Sequence, residues 1–211
     1  EPRTLGPSAM LLILLFGGSL LGLFLGRHAS MLTYHEALFA EPAREMIATG
    51  DWLIPRFVGQ PIWDKPPLTH WLIAATMAAT GSDAEWVVRV PSVLAALATA
   101  LIVAALAARW FGRRVGLLAG LVQCSSYYVL MQGRLAESDM LLTLWVTGAF
   151  ACLAVARVQP PDRPPRWPAW LFFACVGLAF MTKYLAGPAL IFVGTAAWVV
   201  VQRDWRAWRF L

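Results

Sequence analysis

The chain has 211 residues, of which 59% are hydrophobic and only 14% charged, with 17 Lys and Arg set against 12 Asp and Glu. Its mean hydropathy of +0.63 is too apolar for a soluble domain to hide within one core, which excludes an ordinary water-soluble enzyme. The formal net charge of +5 is accounted for by membrane topology and needs no nucleic-acid partner.

Six apolar segments, at about 8–26, 87–108, 115–133, 139–157, 167–182 and 185–202, have the length that crosses a bilayer. Each is predicted to be helical, because a lipid-exposed backbone must satisfy its own hydrogen bonds. The predicted fold is therefore an all-α polytopic membrane protein of about six transmembrane helices, with further helices at the membrane surface. The first segment has the apolar run of a secretory signal but no convincing A-x-A cleavage site, and more spans follow, so it reads as an uncleaved first span.

Next comes a long polar loop, 27–86, predicted to carry surface helices. Within it, Pro66 to Gly81 is apolar enough to suggest a seventh span. Counting it would invert every later loop, so it is read as a helix at the membrane surface or packed beneath the loop, with His70 and Trp71 near the headgroups. The basic loops then agree with one another: Arg3, Arg109, Arg113, Arg114, Arg157, Arg163, Arg166, Arg203, Arg206 and Arg209 all fall on one side. Ten basic residues and three acids on that side, against seven basic residues and nine acids on the other, mark the first as cytoplasmic. Pro160 to Pro168 forms a stiff cytoplasmic linker. Cys124, Cys152 and Cys175 lie inside apolar spans, which favours packing over a disulfide framework. The chain opens without Met and closes just past the sixth span, as the N-terminal portion of a longer protein would.

The residues able to carry chemistry gather on the other, outer side. Glu36 follows the first span closely, where partial desolvation would raise its pKa toward that of a general base. Thr33 to Glu36 equally fits the capping box S/T-x-x-E, in which the carboxylate would bond only the helix start. His35 could carry a proton or bind a metal, or serve structure alone. Glu41, Arg44 and Glu45 share one helix face as an ion-pair cluster. Asp64-Lys65-Pro66-Pro67 fixes a lysine at the membrane surface as a point charge for phosphate, or as a partner of Asp64. Arg134, Glu137 and Asp139 stand before the fourth span, where the two acids have either metal-pair spacing or helix-start character. Lys183, between two apolar spans, has a lipid phosphate or Asp139 as its expected partner. A divalent metal stays open.

Taken in order, YHEALFAEPAREMIATGDWLIP, WDKPPLTHW, RLAESDMLLTLW and MTKYLAGP resemble the bacterial protein O-mannosyltransferase and lipid A aminoarabinose transferase superfamily. The resemblance implies a C-type (GT-C) membrane fold, here truncated, with family 39-like hexosyl or pentosyl transfer from a polyprenyl-phosphate donor. It implies that Lys65 and Lys183 hold the donor phosphate; on the chemistry of the outer loops, Arg134 is expected to join them, Glu36, aided by His35 or Asp139, to deprotonate the acceptor, and Asp64, Glu41 and Arg44 to give support. The family's leading acid is replaced by His35 in this chain. The implied partners are the lipid-linked donor, a lipid, glycan or protein acceptor, and membrane lipids, at the periplasmic face of the inner membrane. Neither a P-loop nor a G-x-G-x-x-G element is present, which suits a lipid-linked rather than a nucleotide-linked donor. The alternatives are a transporter or lipid flippase, which would place ionisable groups near mid-span, and a structural scaffold.

Overall fold

The computed structural model describes residues 4–25, 32–158 and 166–202. Helix α1 (Pro7–Leu25) is followed by α2 (Tyr34–Thr49), a short hairpin of β1 (Arg56–Phe57) and β2 (Gln60–Pro61), and α3 (Leu68–Thr80). Then come α4 (Glu85–Phe111), α5 (Arg113–Ser125), α6 (Tyr127–Gln132), α7 (Asp139–Arg157), α8 (Trp167–Lys183) and α9 (Ala186–Gln202). Helices α4 and α7, of 27 and 19 residues, are each long and apolar enough to cross a membrane, and Pro7–Gly22, Trp167–Lys183 and Ala186–Val201 are shorter apolar helices.

Helix α4 is the axis of the bundle, touching α1, α3, α5 and α7, while α7 carries α8 and α9. Its sequence explains this centrality. Ala96, Ala100, Ala104 and Ala108 recur every four residues, and all are buried on one face. Gly116 and Gly120 of α5 meet that face so closely that a Cβ on Gly116 would stand 2.7 Å from the Ala104 carbonyl oxygen. Small residues at such a seam let backbones approach, the usual source of helix association in lipid. The outward positions of α1 and α9, among them Leu11, Leu12, Leu15, Val193 and Val201, are exposed leucines and valines suited to an apolar solvent. Cys124, Cys152 and Cys175 are buried and unpaired.

Two segments differ from the sequence expectation. The apolar run 115–133 is not one helix: it breaks at Ser126, whose hydroxyl caps α6 by accepting from the Val129 amide at 3.4 Å. Helix α3 packs its Ile73, Ala74 and Met77 against Phe39, Ala40 and Ala43 of α2 and Val87 and Val88 of α4. His70 is consequently buried with no exposed surface, not placed among headgroups. Burial pushes its pKa down to about 4, against opposing help from the Phe39 carbonyl and Asp64 and with Lys65 adding to the fall.

The helix directions sort the charges by end. The starts of α2, α4 and α7 and the finish of α8 bring Glu36, Arg89, Asp139 and Lys183 to one end of the bundle. Arg109 and Arg157 close α4 and α7 at the other, where the Arg113 guanidinium donates to the Thr4 carbonyl at 3.0 Å.

Candidate active site at the acidic end

Helix α2 begins as its sequence suggests: the Glu36 amide donates to Thr33 Oγ1 at 3.2 Å and the Thr33 amide to Glu36 Oε2 at 3.0 Å, completing the capping box. The carboxylate is then fully occupied from two other elements. Arg89, in the second turn of α4, donates through Nε to Oε1 at 2.7 Å and through Nη2 to Oε2 at 3.1 Å. The Ala136 amide, in the loop before α7, adds a bond to Oε1 at 3.1 Å. Burial alone would raise the Glu36 pKa, but Arg89 and the Thr33 and Ala136 amides outweigh it and hold the carboxyl below the usual range. The expectation of a raised pKa at Glu36 is therefore corrected. Fully buried and bonded by four donors, the Glu36 carboxylate acts here as a lock between α2, α4 and the loop before α7.

The same lock shapes the loop that leads into α7. Ser92, one turn beyond Arg89, donates from Oγ to the Glu137 carbonyl at 3.2 Å. Helix α4 thus fixes the backbone at both 136 and 137, directly through Ser92 and indirectly through Glu36. The Glu137 side chain is half-buried, and its pKa is raised by burial first, then by Asp139 and Glu36, against the opposing charges of His35 and Lys183. Asp139, the first residue of α7, forms an ion pair with Lys183, the last residue of α8; their side chains are 27% and 36% exposed, so the pair is reachable. The Trp145 indole donates to Thr182 Oγ1 at 3.1 Å and fixes the end of α8 beside α7.

Lys65 is half-buried next to buried Pro66, and Asp64 is exposed. This turn reaches the α8 end through Tyr184, whose hydroxyl donates to the Trp63 carbonyl at 2.8 Å. His35 is exposed, with its ring edge-on to Tyr34 at 6.0 Å between centroids. The remaining expected residues lie in ordinary surroundings. Arg44 bonds Glu41 at 3.1 Å and Asp83 at 3.1 Å in an exposed cluster. Glu45 leaves that cluster and accepts from the Gly59 amide of the hairpin turn at 3.0 Å. Arg134 Nη2 lies 3.1 Å from Met131 Sδ. Among the described residues no three His, Cys, Asp or Glu side chains form a group able to hold a metal.

Sequence reasoning misses Arg89 and reads Glu137 only with Asp139, as a metal-pair or helix-start acid. Arg89 carries a signal: an arginine at the start of an apolar span needs a partner there. A cavity of about 480 Å³ lined by Trp110, Phe150, Arg157 and Trp198 lies at the opposite end of the bundle, away from these acids and lysines. The chemistry, not the size of that cavity, locates the candidate site.

Known proteins are similar to this chain in sequence and fold. The family model described as dolichyl-phosphate-mannose-protein mannosyltransferase matches residues 64–210. The undecaprenyl phosphate-alpha-4-amino-4-deoxy-L-arabinose arabinosyl transferase of Edwardsiella ictaluri (strain 93-146) is 32% identical over 173 residues, covering 82% of this chain and 31% of the relative. Arabinosyl transferase 2 of Sodalis glossinidius (strain morsitans) is 32% identical over 176 residues, covering 81% of this chain and 31% of the relative. Two crystal structures of ArnT from Cupriavidus metallidurans align over 95% of this chain and 37% of theirs at 28% identity, with a TM-score of 0.83 for the apo state and 0.85 for the state bound to undecaprenyl phosphate. The chain spans about a third of the length of these relatives.

Proposed function

Because the chain belongs to the dolichyl-phosphate-mannose-protein mannosyltransferase family of membrane glycosyltransferases, we propose that it forms part of an enzyme that moves a sugar from a polyprenyl-phosphate donor to an acceptor hydroxyl or phosphate. The acidic end of the bundle faces the periplasm and the arginine-bearing end the cytoplasm, since Lys and Arg collect on the cytoplasmic side of inner-membrane proteins. The acceptor is a lipid, glycan or protein.

In this mechanism the acceptor oxygen attacks the anomeric carbon while the bond from that carbon to the phosphate oxygen breaks. Polyprenyl phosphate departs with the electron pair. Lys183, held by Asp139, and Lys65 across the loop stabilise the charge that grows on the phosphate, with Arg134 at the edge of the site. Where the acceptor is a hydroxyl, Glu137 takes its proton with His35 beside it, the basicity of Glu137 raised by its surroundings. Glu36 builds the site and does not react. The observation that carries this proposal is the meeting of Lys183, Asp139 and half-buried Glu137 at one bundle end, joined there to the Lys65 turn. The matched relatives are named as transferases, and nothing favours the transporter or flippase alternative.

The test is transfer from a radiolabelled polyprenyl-phosphate sugar in membranes containing the full-length protein. Wild type is expected to transfer, and Lys65→Ala to lose at least about tenfold in rate, the scale of one charge-assisted contact of about 1.5–3 kcal/mol. Wild-type protein that transfers from no such donor would overturn the proposal.

A further inference from the structure

Tyr184 closes α8 with φ +47° and ψ −136°, a left-handed conformation that a residue with a bulky side chain adopts only under constraint. Such strain persists where surrounding contacts over-determine it, and two contacts do so here. The ring stands edge-on to Phe180 at 5.9 Å between centroids, and the hydroxyl reaches 2.8 Å to the Trp63 carbonyl, a partner 121 residues away in sequence. One backbone step before Tyr184 is Lys183, paired to Asp139, and one step after Trp63 is Asp64, followed by Lys65.

We propose that Tyr184 is a positioning residue: its hydroxyl is a strap that holds the Lys183 end of α8 against the 63–67 turn, so that Lys183 and Lys65 grip one lipid-linked phosphate. This inference rests on the polyprenyl-phosphate donor reading and adds to it the element that sets the spacing of the two cations. Neither the Lys183 side chain nor the Lys65 side chain bonds the other's segment directly through Tyr184. The strap acts on their backbones, and the positive φ is what aims the phenol back toward the first loop. A tyrosine that served only to anchor its own ring would need no hydroxyl bond across the loops.

The test uses the full-length protein in detergent, with sugar-free polyprenyl phosphate as the binding probe and donor kinetics as the second readout. Tyr184→Phe keeps the ring and removes the strap. It is expected to weaken polyprenyl phosphate binding and raise the donor KM by about three- to tenfold, the range for one ordinary hydrogen bond, with a smaller fall in kcat than Lys65→Ala shows and an unfolding temperature near wild type. Tyr184→Gly removes the hydroxyl and the Phe180 contact while relieving the positive φ, so it is expected to bind as weakly and to unfold somewhat below the wild-type temperature. In a Lys65→Ala background the further change to Phe is expected to have little effect, because the second cation is already gone. Tyr184→Phe with wild-type affinity and KM, or an effect fully retained in the Lys65→Ala background, would overturn the strap while leaving the donor reading in place. Wild-type protein that does not bind polyprenyl phosphate would overturn the donor reading itself.

Discussion

Two acid–base pairs lie at the same end of the bundle and differ in nearly every physical respect. Glu36 and Arg89 are 0% and 5% exposed at the side chain, and Glu36 accepts four hydrogen bonds from three separate elements. Asp139 and Lys183 are about a third exposed, with the raised-pKa carboxyl of Glu137 beside them. The first pair is saturated and sealed, so its energy goes into holding α2, α4 and the loop before α7 in register. The second keeps unspent capacity on a reachable surface, which is where a charged substrate can exchange partners. A carboxylate in a site-bearing motif is thus not by that fact the reactive one.

The largest expected effect breaks this contrast from the reactive side. Glu137→Gln should lower kcat by about 100-fold or more toward a hydroxyl acceptor, the scale of losing a general base, with the unfolding temperature unchanged. Breaking the sealed pair acts on folding. Arg89→Ala leaves the Glu36 carboxylate buried without its main partner and should destabilise the protein by about 3–5 kcal/mol, read as lower yield and a lower unfolding temperature in detergent. Replacing both partners with apolar residues, Glu36→Leu with Arg89→Met, should recover part of that loss. Since Glu36 titrates below an ordinary carboxylate in the folded state, its stabilisation is present at neutral pH and fades as the pH falls below about 4.3.

His70 sharpens the same contrast with a pH signature of its own. Its Nδ1 lies 3.3 Å from the Phe39 carbonyl and its Nε2 has no partner among the described residues, and burial favours the neutral ring. An unfolded histidine takes up a proton near pH 6.5 while the folded one resists to about 4, so stability should fall as pH drops through that window, by on the order of 3 kcal/mol. His70→Phe should flatten this part of the pH–stability curve. The smallest effect belongs to the exposed Glu41–Arg44–Asp83 cluster, where Glu41→Ala should change stability by no more than about 1 kcal/mol.

Much of the architecture is legible in the sequence, and the exceptions have physical causes. The helical membrane class follows from composition and apolar run length, and the capping box at Thr33 to Glu36 from local spacing, because both are short-range properties. The break at Ser126 is hidden by the apolar residues on either side, although a serine able to cap is its visible mark. The β1–β2 hairpin turns through Val58 and Gly59, both at positive φ, and valine there gives no turn signal. For Glu36 the pattern leaves cap and base equally open. The cap forms, and the carboxylate is further held by Arg89, 53 residues away, and the Ala136 amide, 100 residues away, contacts that no local pattern encodes. Glu137 is visible in the sequence only as half of an acid pair with Asp139, because the His35, Glu36 and Lys183 charges that act on it arrive from α2 and α8.

The most direct measurement is kcat per folded molecule for Glu137→Gln and Glu36→Gln in the full-length protein, using a lipid-linked donor and a hydroxyl acceptor, with unfolding temperature recorded alongside. The expected result is a collapsed kcat at normal stability for Glu137→Gln, and a lowered unfolding temperature with substantial turnover in the folded fraction for Glu36→Gln. Wild-type turnover in Glu137→Gln, together with a stable but inactive Glu36→Gln, would contradict the division of labour between the sealed pair and the open one.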